Sequence, residues 1–389
     1  MRKTVSLMKD WMFTQGEKKR LVDLPHTWNA LDGQDGGNDY YRGTCTYKKS
    51  ISRNEFPEGE EFYLQIDGAN SSATVYFNGK KLTVHHGGYS TFRVKLENIQ
   101  NENEITVEVD NSPNDFVYPQ LADFTFYGGI YRNVSIIGVP KKHFDLEYYG
   151  APGIAVTPIA KVNDYEVTLS AYCDGEVEFT VYDGDEVVES ANAAGKNPTA
   201  IIIIKNAHLW DGTADPHLYT ATAKLIENGE AVDEISCRFG CRSFEMNPQK
   251  GFILNGREYP LRGVSRHQDR PEIGNALTYE HHKEDIELIC EMSANTIRLA
   301  HYQQSQDFYN LCDEKGLIVW AEIPYISKHL DNGVENTKSQ MTELVCQNYN
   351  HPSIVTWGLS NEITMNGSNS ALIDNHKMLN NLVHSLDKT

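Results

Sequence analysis

The feature that most constrains the fold is a change of rhythm near residue 243. Before it, apolar and polar residues alternate in period two, the spacing of half-buried strands. Glu61-Phe62-Tyr63-Leu64-Gln65-Ile66, Ala73-Thr74-Val75-Tyr76-Phe77 and Ile105-Thr106-Val107-Glu108-Val109 show the pattern. Asn78-Gly79 follows one such run and predicts a tight hairpin, whose two central residues both take positive φ. Glu166–Ala171, Val177–Val181 and Tyr219–Ala223 continue the alternation. Beyond it, short apolar runs alternate with helical spacing. Tyr259–Val264 predicts a strand, and Ile286, Ile289 and Cys290 a helix. Thr296–Ala300 predicts a strand, and Phe308, Leu311 and Cys312 a helix closed by Gly316. Leu317–Ile323 is followed by a helix carrying Met341, Leu344, Val345 and Tyr349. A last strand runs to Glu362, before a helix carrying Leu379, Leu382, Val383 and Leu386. Strand and helix in strict alternation imply parallel βαβ units.

The fold class expected is therefore multidomain β plus α/β. Residues 1–137 predict a jelly-roll β-sandwich, 138–242 an immunoglobulin-like β-sandwich, and 243–389 the first half of an incomplete (β/α)8 TIM barrel. A closed barrel takes ~250 residues, whereas 147 remain from residue 243. Half a barrel leaves sheet edges unpaired and apolar faces wet. The expectation is that the natural polypeptide continues, or that another chain completes the sheet.

Composition narrows the partners. A formal charge of −19 argues against nucleic acid and anionic membrane surfaces, and weakly against a polyanionic substrate. No stretch approaches the ~18–20 apolar residues of a membrane span. The basic start, Met1-Arg2-Lys3, has no apolar core behind it, so no signal peptide is expected. The seven cysteines are scattered and odd in number, which disfavours a disulfide framework. Cys237 and Cys241 lie four apart, but no second pair completes a zinc site. Cys290 and Cys312 sit at apolar helical positions and read as core packing. These features fit a reducing cytoplasm.

The chemistry concentrates in His351-Pro352-Ser353-Ile354-Val355-Thr356-Trp357-Gly358-Leu359-Ser360-Asn361-Glu362. It reads as a buried strand ending in a polar pair. A barrel places its chemistry at the carboxyl ends of its strands. Partial burial there raises a carboxyl pKa, as a general acid requires.

Four ordered motifs resemble glycoside hydrolase family 2, over nearly the whole chain. They are Asp123-Phe124-Thr125-Phe126-Tyr127-Gly128-Gly129-Ile130-Tyr131-Arg132, Arg262-Gly263-Val264-Ser265-Arg266-His267, Asn295-Thr296-Ile297-Arg298-Leu299-Ala300-His301-Tyr302, and His351 to Glu362. Within the family, His267-Gln268-Asp269-Arg270-Pro271 and Trp320-Ala321-Glu322-Ile323-Pro324 look most like β-galactosidases; β-glucuronidases and β-mannosidases share the skeleton. The resemblance implies a retaining β-glycosidase that hydrolyses terminal β-linked sugars, β-D-galactosides foremost, with a β-linked oligosaccharide or glycoside as its partner. It also admits a homo-oligomer.

The resemblance also assigns roles. Glu362 matches the acid/base, which protonates the glycosidic oxygen and later deprotonates water. Asn361 would bond the sugar 2-hydroxyl. Arg298 would hold a nucleophilic carboxylate ionised, a two-point task suited to guanidinium. His301 and His267 would contact the sugar. Asp123, from the first domain, would reach over the barrel mouth and accept from sugar hydroxyls. Trp357, Trp320 and Tyr325 fit either aromatic walls or core packing.

The family nucleophile is a Glu on the seventh strand, and no Glu before Thr389 fits it; Glu322 is nearest and lies on the wrong strand. In some galactosidases a Glu at this place and a His two residues on help bind magnesium. Position 324 is Pro here, so no metal and no cofactor are expected, magnesium or sodium resting on analogy alone. Glycoside hydrolysis by the usual route takes two carboxylates, so the chain as given is expected to be inactive. The alternatives are a non-catalytic carbohydrate-binding or assembly fragment, or a β-glucuronidase or β-mannosidase of the same family.

Overall fold

The computed structural model describes residues 1–32, 40–162 and 164–389. The first sandwich packs a four-stranded sheet (Lys3–Ser6, Val134–Val139, Glu61–Ile66, Phe92–Leu96) on a six-stranded one (Lys18–Val22, Trp11–Gln15, Thr44–Ser52, Glu102–Asp110, Ser72–Phe77, Lys80–His86). All these pairings are antiparallel. Period-two alternation sends one side of each strand inward, so Trp11, Phe13, Tyr47, Val75, Val107 and Ile136 meet in one buried core. The predicted hairpin is present: Asn78 (φ 51°) and Gly79 (φ 77°) join Ser72–Phe77 to Lys80–His86.

The second sandwich faces three strands (Ile154–Ala160, Asp164–Ala171, Thr199–Lys205) against four (Glu186–Lys196, Asp174–Asp183, Tyr219–Glu227, Glu230–Phe239). Val167, Leu169, Phe179, Val181 and Leu225 form its interior. A small sheet, Phe244–Asn247, Gly251–Leu254 and Arg257–Glu258, then leads into the α/β region.

There, four strands run parallel in chain order: Gly263–Arg266, Thr296–Leu299, Ile318–Glu322 and Ile354–Gly358. The helices are α1 (Tyr279–Glu291), α2 (Gln306–Lys315), α3 (Val334–Asn348) and α4 (Ser370–Leu386). Ser305 caps α2 by accepting from the Asp307 amide, and Gly316 (φ 70°) ends it in a left-handed turn. Asn369 caps α4 through the Leu372 amide. Ile297, Leu299, Val319 and Ala321 pack with Ile286, Phe308, Leu344 and Leu379 of the helices. Register places Ser265 beside Arg298 and Arg298 beside Trp320; Gly358 lies beside Glu322. Since neighbours in register share a face, the opposite side of the sheet carries Ser265, Arg298, Trp320 and Glu322. Among the described residues the first and fourth strands each have a free outer edge. Trp320 is 45% exposed on that face.

Two predicted boundaries are corrected. The strand expected at Tyr259–Val264 begins at Gly263. Pro260 has no amide to donate, and the Asn295 side chain takes the place of a ladder, bonding the Pro260 carbonyl and the Arg262 amide at 2.9 and 2.7 Å. The strand expected to end at Glu362 ends at Gly358. Asn361 keeps a single isolated bridge to Ile326, and Glu362 adopts φ 47°, which no strand accommodates. No helix among the described residues is long and apolar enough to cross a membrane.

The three parts are stitched by buried polar contacts. Gln347 of α3 exchanges hydrogen bonds with the Thr91 backbone of the first sandwich. Asn350 bonds Val156 and Ile154 of the second. The Arg132 guanidinium donates to the Tyr89 carbonyl and, across the interface, to Gln268 Oε1 and the Gln303 carbonyl.

Candidate active site

The centre of the site is a residue set aside at first. Glu322 ends the third barrel strand and is fully buried, 0% exposed. A buried carboxylate needs partners, or it neutralises. It has two. Arg298 grips both oxygens, Nη2 to Oε1 at 2.9 Å and Nε to Oε2 at 3.2 Å. His301 Nδ1 lies 2.7 Å from Oε1. Two-point pairing suits the planar guanidinium. With its Nδ1 proton directed at the carboxylate, His301 keeps Nε2 for another partner.

The same arginine reaches the fourth strand's loop: Arg298 Nη2 donates to Asn361 Oδ1 at 2.7 Å. The backbone of Asn361 is held too, its amide bonding the Tyr325 carbonyl and its carbonyl accepting from Ser327. Arg298, His301, Glu322 and Asn361 thus form one connected set at the carboxyl ends of strands two to four. Glu362 follows directly but is exposed, and its carboxylate has no hydrogen bond or ion pair to the described residues. The partial burial expected of it is absent, because the loop carries it four residues past the strand and outside the sheet's cover.

His267 follows the first strand. Its Nδ1 lies 3.2 Å from the Tyr302 hydroxyl, and its ring meets that of His301 edge-on at 5.1 Å. Burial, then the neighbouring His301, pushes its pKa down, against a smaller pull from Asp269, Asp123 and Glu322. The first sandwich supplies the cover. Phe124 lies 5.2 Å from the His267 ring, 6.0 Å from His301 and 5.5 Å from Tyr302, centroid to centroid. Asp123 is exposed beside it and close enough to favour protonation of His267. Tyr302 stacks on Tyr89 at 4.3 Å, so the second-strand loop and the sandwich share one aromatic seam.

The three aromatic candidates divide. Tyr325 is buried, bonds His329 and contacts Tyr118, which is core packing. Trp357 packs among the helices and donates to Asp387. Trp320 alone stays open, with the Arg298 guanidinium 5.7 Å from its ring.

The residues that reading by sequence missed are Glu322 as the ionic hub, Phe124 as the cover, and Arg132 as the pin. A lone charge in the run Ile318-Val319-Trp320-Ala321-Glu322 was the available signal. A magnesium set does not fit here: Pro324 offers no donor, and Glu322 is committed to Arg298 and His301. Among the described residues no group of three or more His, Cys, Asp or Glu is arranged to hold a metal. Burial pushes the Cys237 and Cys241 thiols up to about 12, out of the range of ready ligands.

Two antiparallel sandwiches thus stand ahead of a parallel α/β sheet with a polar cluster at its strand ends. Three sequence profiles of one family match in order: glycosyl hydrolases family 2, sugar binding domain, over residues 11–140; glycosyl hydrolases family 2 over 155–242; and its TIM barrel domain over 246–389. The chain belongs to glycosyl hydrolase family 2. It is 38% identical to a β-glucuronidase of Bacteroides fragilis, over 100% of this chain and 60% of that protein. It is 30% identical to a β-galactosidase of Thermoanaerobacterium thermosulfurigenes, over 100% of this chain and 57% of that one. The crystal structure of an FMN-binding β-glucuronidase from Facaelibacterium prausnitzii L2-6 superposes with a TM-score of 0.96 at 44% identity, covering 100% of this chain and 63% of that one. The chain therefore spans about three-fifths of the length of these relatives.

Proposed function

We propose that the protein acts as a retaining β-glycosidase on terminal β-linked sugars, with Glu362 as acid/base. The observation that carries this reading is the two-point grip of Arg298 on Glu322 and its bond to Asn361, which fixes Asn361 at the strand ends next to Glu362. Asn361 then bonds the sugar 2-hydroxyl, a contact that tightens as the ring approaches the oxocarbenium transition state. His301 Nε2, His267 and Asp123 bond other hydroxyls. Glu362 protonates the leaving oxygen and afterwards takes a proton from water. The nucleophile is a second carboxylate ~5–5.5 Å away, the separation retention demands; in this reading it lies on a later barrel strand beyond residue 389. An exposed Glu362 belongs to the same picture, since those strands would wall it in.

For the sugar, the two relatives of higher identity described above are named β-glucuronidases. They favour a glucuronide. The stretches His267–Pro271 and Trp320–Pro324 favour a galactoside. Both are anomeric β-sugars served by the same acid/base. A cytoplasmic setting belongs to this reading, supported by seven free cysteines.

The test uses a polypeptide carrying the barrel to the length of the relatives, assayed on nitrophenyl β-glucuronide, β-galactoside and β-mannoside. Turnover with retention on one of them, reduced at least ~10²-fold by Glu362→Gln, is expected. No turnover on any, or inversion at the anomeric carbon, would overturn the reading.

A further inference from the structure

Loop 359–367 after the fourth strand carries Asn361 and Glu362 yet has little regular structure of its own. What holds it is a set of side chains outside the sugar-facing cluster. Ser360 Oγ lies 2.8 Å from His376 Nε2, reaching across to α4. His376 Nδ1 lies 3.1 Å from the Leu372 carbonyl, one helical turn back. A carbonyl only accepts, so Nδ1 carries the ring proton. Nε2 is then left to accept from the serine hydroxyl, and the imidazole orientation is fixed at both ends. The His376 ring also rests against Tyr325 at 5.4 Å. Tyr325 in turn offers its carbonyl to the Asn361 amide at 3.0 Å and bonds His329 at 2.7 Å through its hydroxyl. On the far side Asn366 returns to the Ser327 carbonyl at 3.1 Å. Loop 359–367 is thus gripped on both flanks of the Asn361-Glu362 pair.

We propose that His376 is a positioning residue for Asn361 and Glu362, acting through Ser360. Its place in catalysis rests on the glycosidase reading above; its grip on the loop does not. A serine bonded to an imidazole has the outline of a nucleophile and its base. Here both ring nitrogens are already committed and no carboxylate among the described residues backs the histidine, so the pair braces rather than attacks.

The mechanical half is tested on the chain as it stands, by amide hydrogen exchange at 359–362. His376→Leu and Ser360→Ala are expected to speed exchange there about tenfold each. The double variant should do no more than His376→Leu alone, since the bond that Ser360→Ala removes is already lost there. His376→Gln, whose amide oxygen sits where Nε2 was, should restore the slow exchange. Unchanged exchange in His376→Leu, or additive effects in the double variant, would overturn the proposal. The catalytic half is read in the full-length protein: His376→Leu should lower kcat about tenfold with KM within about twofold, and His376→Gln should recover it. Faster exchange with an unaltered kcat would reduce His376 to a structural residue and overturn the positioning role. If the parent full-length protein turns over none of the aryl glycosides, the glycosidase reading fails, and the exchange result alone decides whether the brace exists.

Discussion

Glu322 and Glu362 show how place governs what a carboxylate does. Glu322, fully buried and paired with the Arg298 guanidinium and the His301 imidazole, is a structural charge. Glu322→Gln removes the charge and turns one of the two acceptor oxygens facing Arg298 and His301 into an amide donor. Hydrogen bonds to charged groups contribute about 1.5–3 kcal/mol, and Arg298 keeps some solvent at 33% side-chain exposure. A loss of about 2 kcal/mol is expected in urea unfolding. Glu362→Gln, at an exposed and unpaired side chain, is expected to shift stability by no more than about 0.5 kcal/mol. Equal losses for the two would contradict the hub assigned to Glu322.

His282 makes a pH-dependent case. It is buried in α1 and lies 3.1 Å from the Arg266 guanidinium, so its Nδ1 accepts and the ring is neutral. Burial, with Arg266 next, lowers its pKa from 6.5 to about 2. Between those values the unfolded chain binds the proton and the folded one does not. Stability is therefore complete above pH 6.5 and drains as pH falls toward 2. His282→Gln keeps an acceptor without the proton. It should flatten the pH dependence of unfolding between pH 6 and 4 by about one proton, or about 1.4 kcal/mol per pH unit. An unchanged slope would mean that His282 is not neutral in the folded state.

At the scale of elements, the barrel strands lie close because the first begins with glycine. A Cβ on Gly263 would sit 1.9 Å from the Thr296 carbonyl oxygen. Gly263→Ala must therefore push the first strand off the second. Overpacking of this kind costs about 1–3 kcal/mol, and exchange protection of Gly263–Arg266 should fall with it. Protection equal to the parent's would show that the pairing tolerates the methyl. The elements themselves were largely legible: the hairpin at Asn78-Gly79, helix α2 with its Gly316 stop, and the apolar run Ile318–Glu322 all follow from local pattern. Failures came where a distant side chain replaces the ladder. Nothing near Tyr259 announces that Asn295 will tie up the Pro260 carbonyl and the Arg262 amide. The site divides in the same way. Arg298, His301 and Asn361 stand out in their own motifs, but the carboxylate that joins them lies 24 residues from Arg298 and 21 from His301. Only the register of a parallel sheet reveals the meeting.

For the whole molecule, the open sheet decides behaviour. Among the described residues the four-stranded parallel sheet has two free outer edges, and Trp320 is 45% exposed on its face. Such edges recruit further strands. A protein of residues 1–389 is expected to self-associate with rising concentration in sedimentation velocity and to turn over no aryl β-glycoside. A monodisperse monomer with turnover abolished by Glu362→Gln would refute this expectation.

Phe124 lies across both site histidines although it comes from a domain that ends more than a hundred residues before them. Transplanting the α/β part into another scaffold would therefore strip the pocket of its roof. An engineer who wants this chemistry on a smaller frame has to carry the Asp123–Arg132 segment along with it, or else invent a substitute that shields two imidazoles from water.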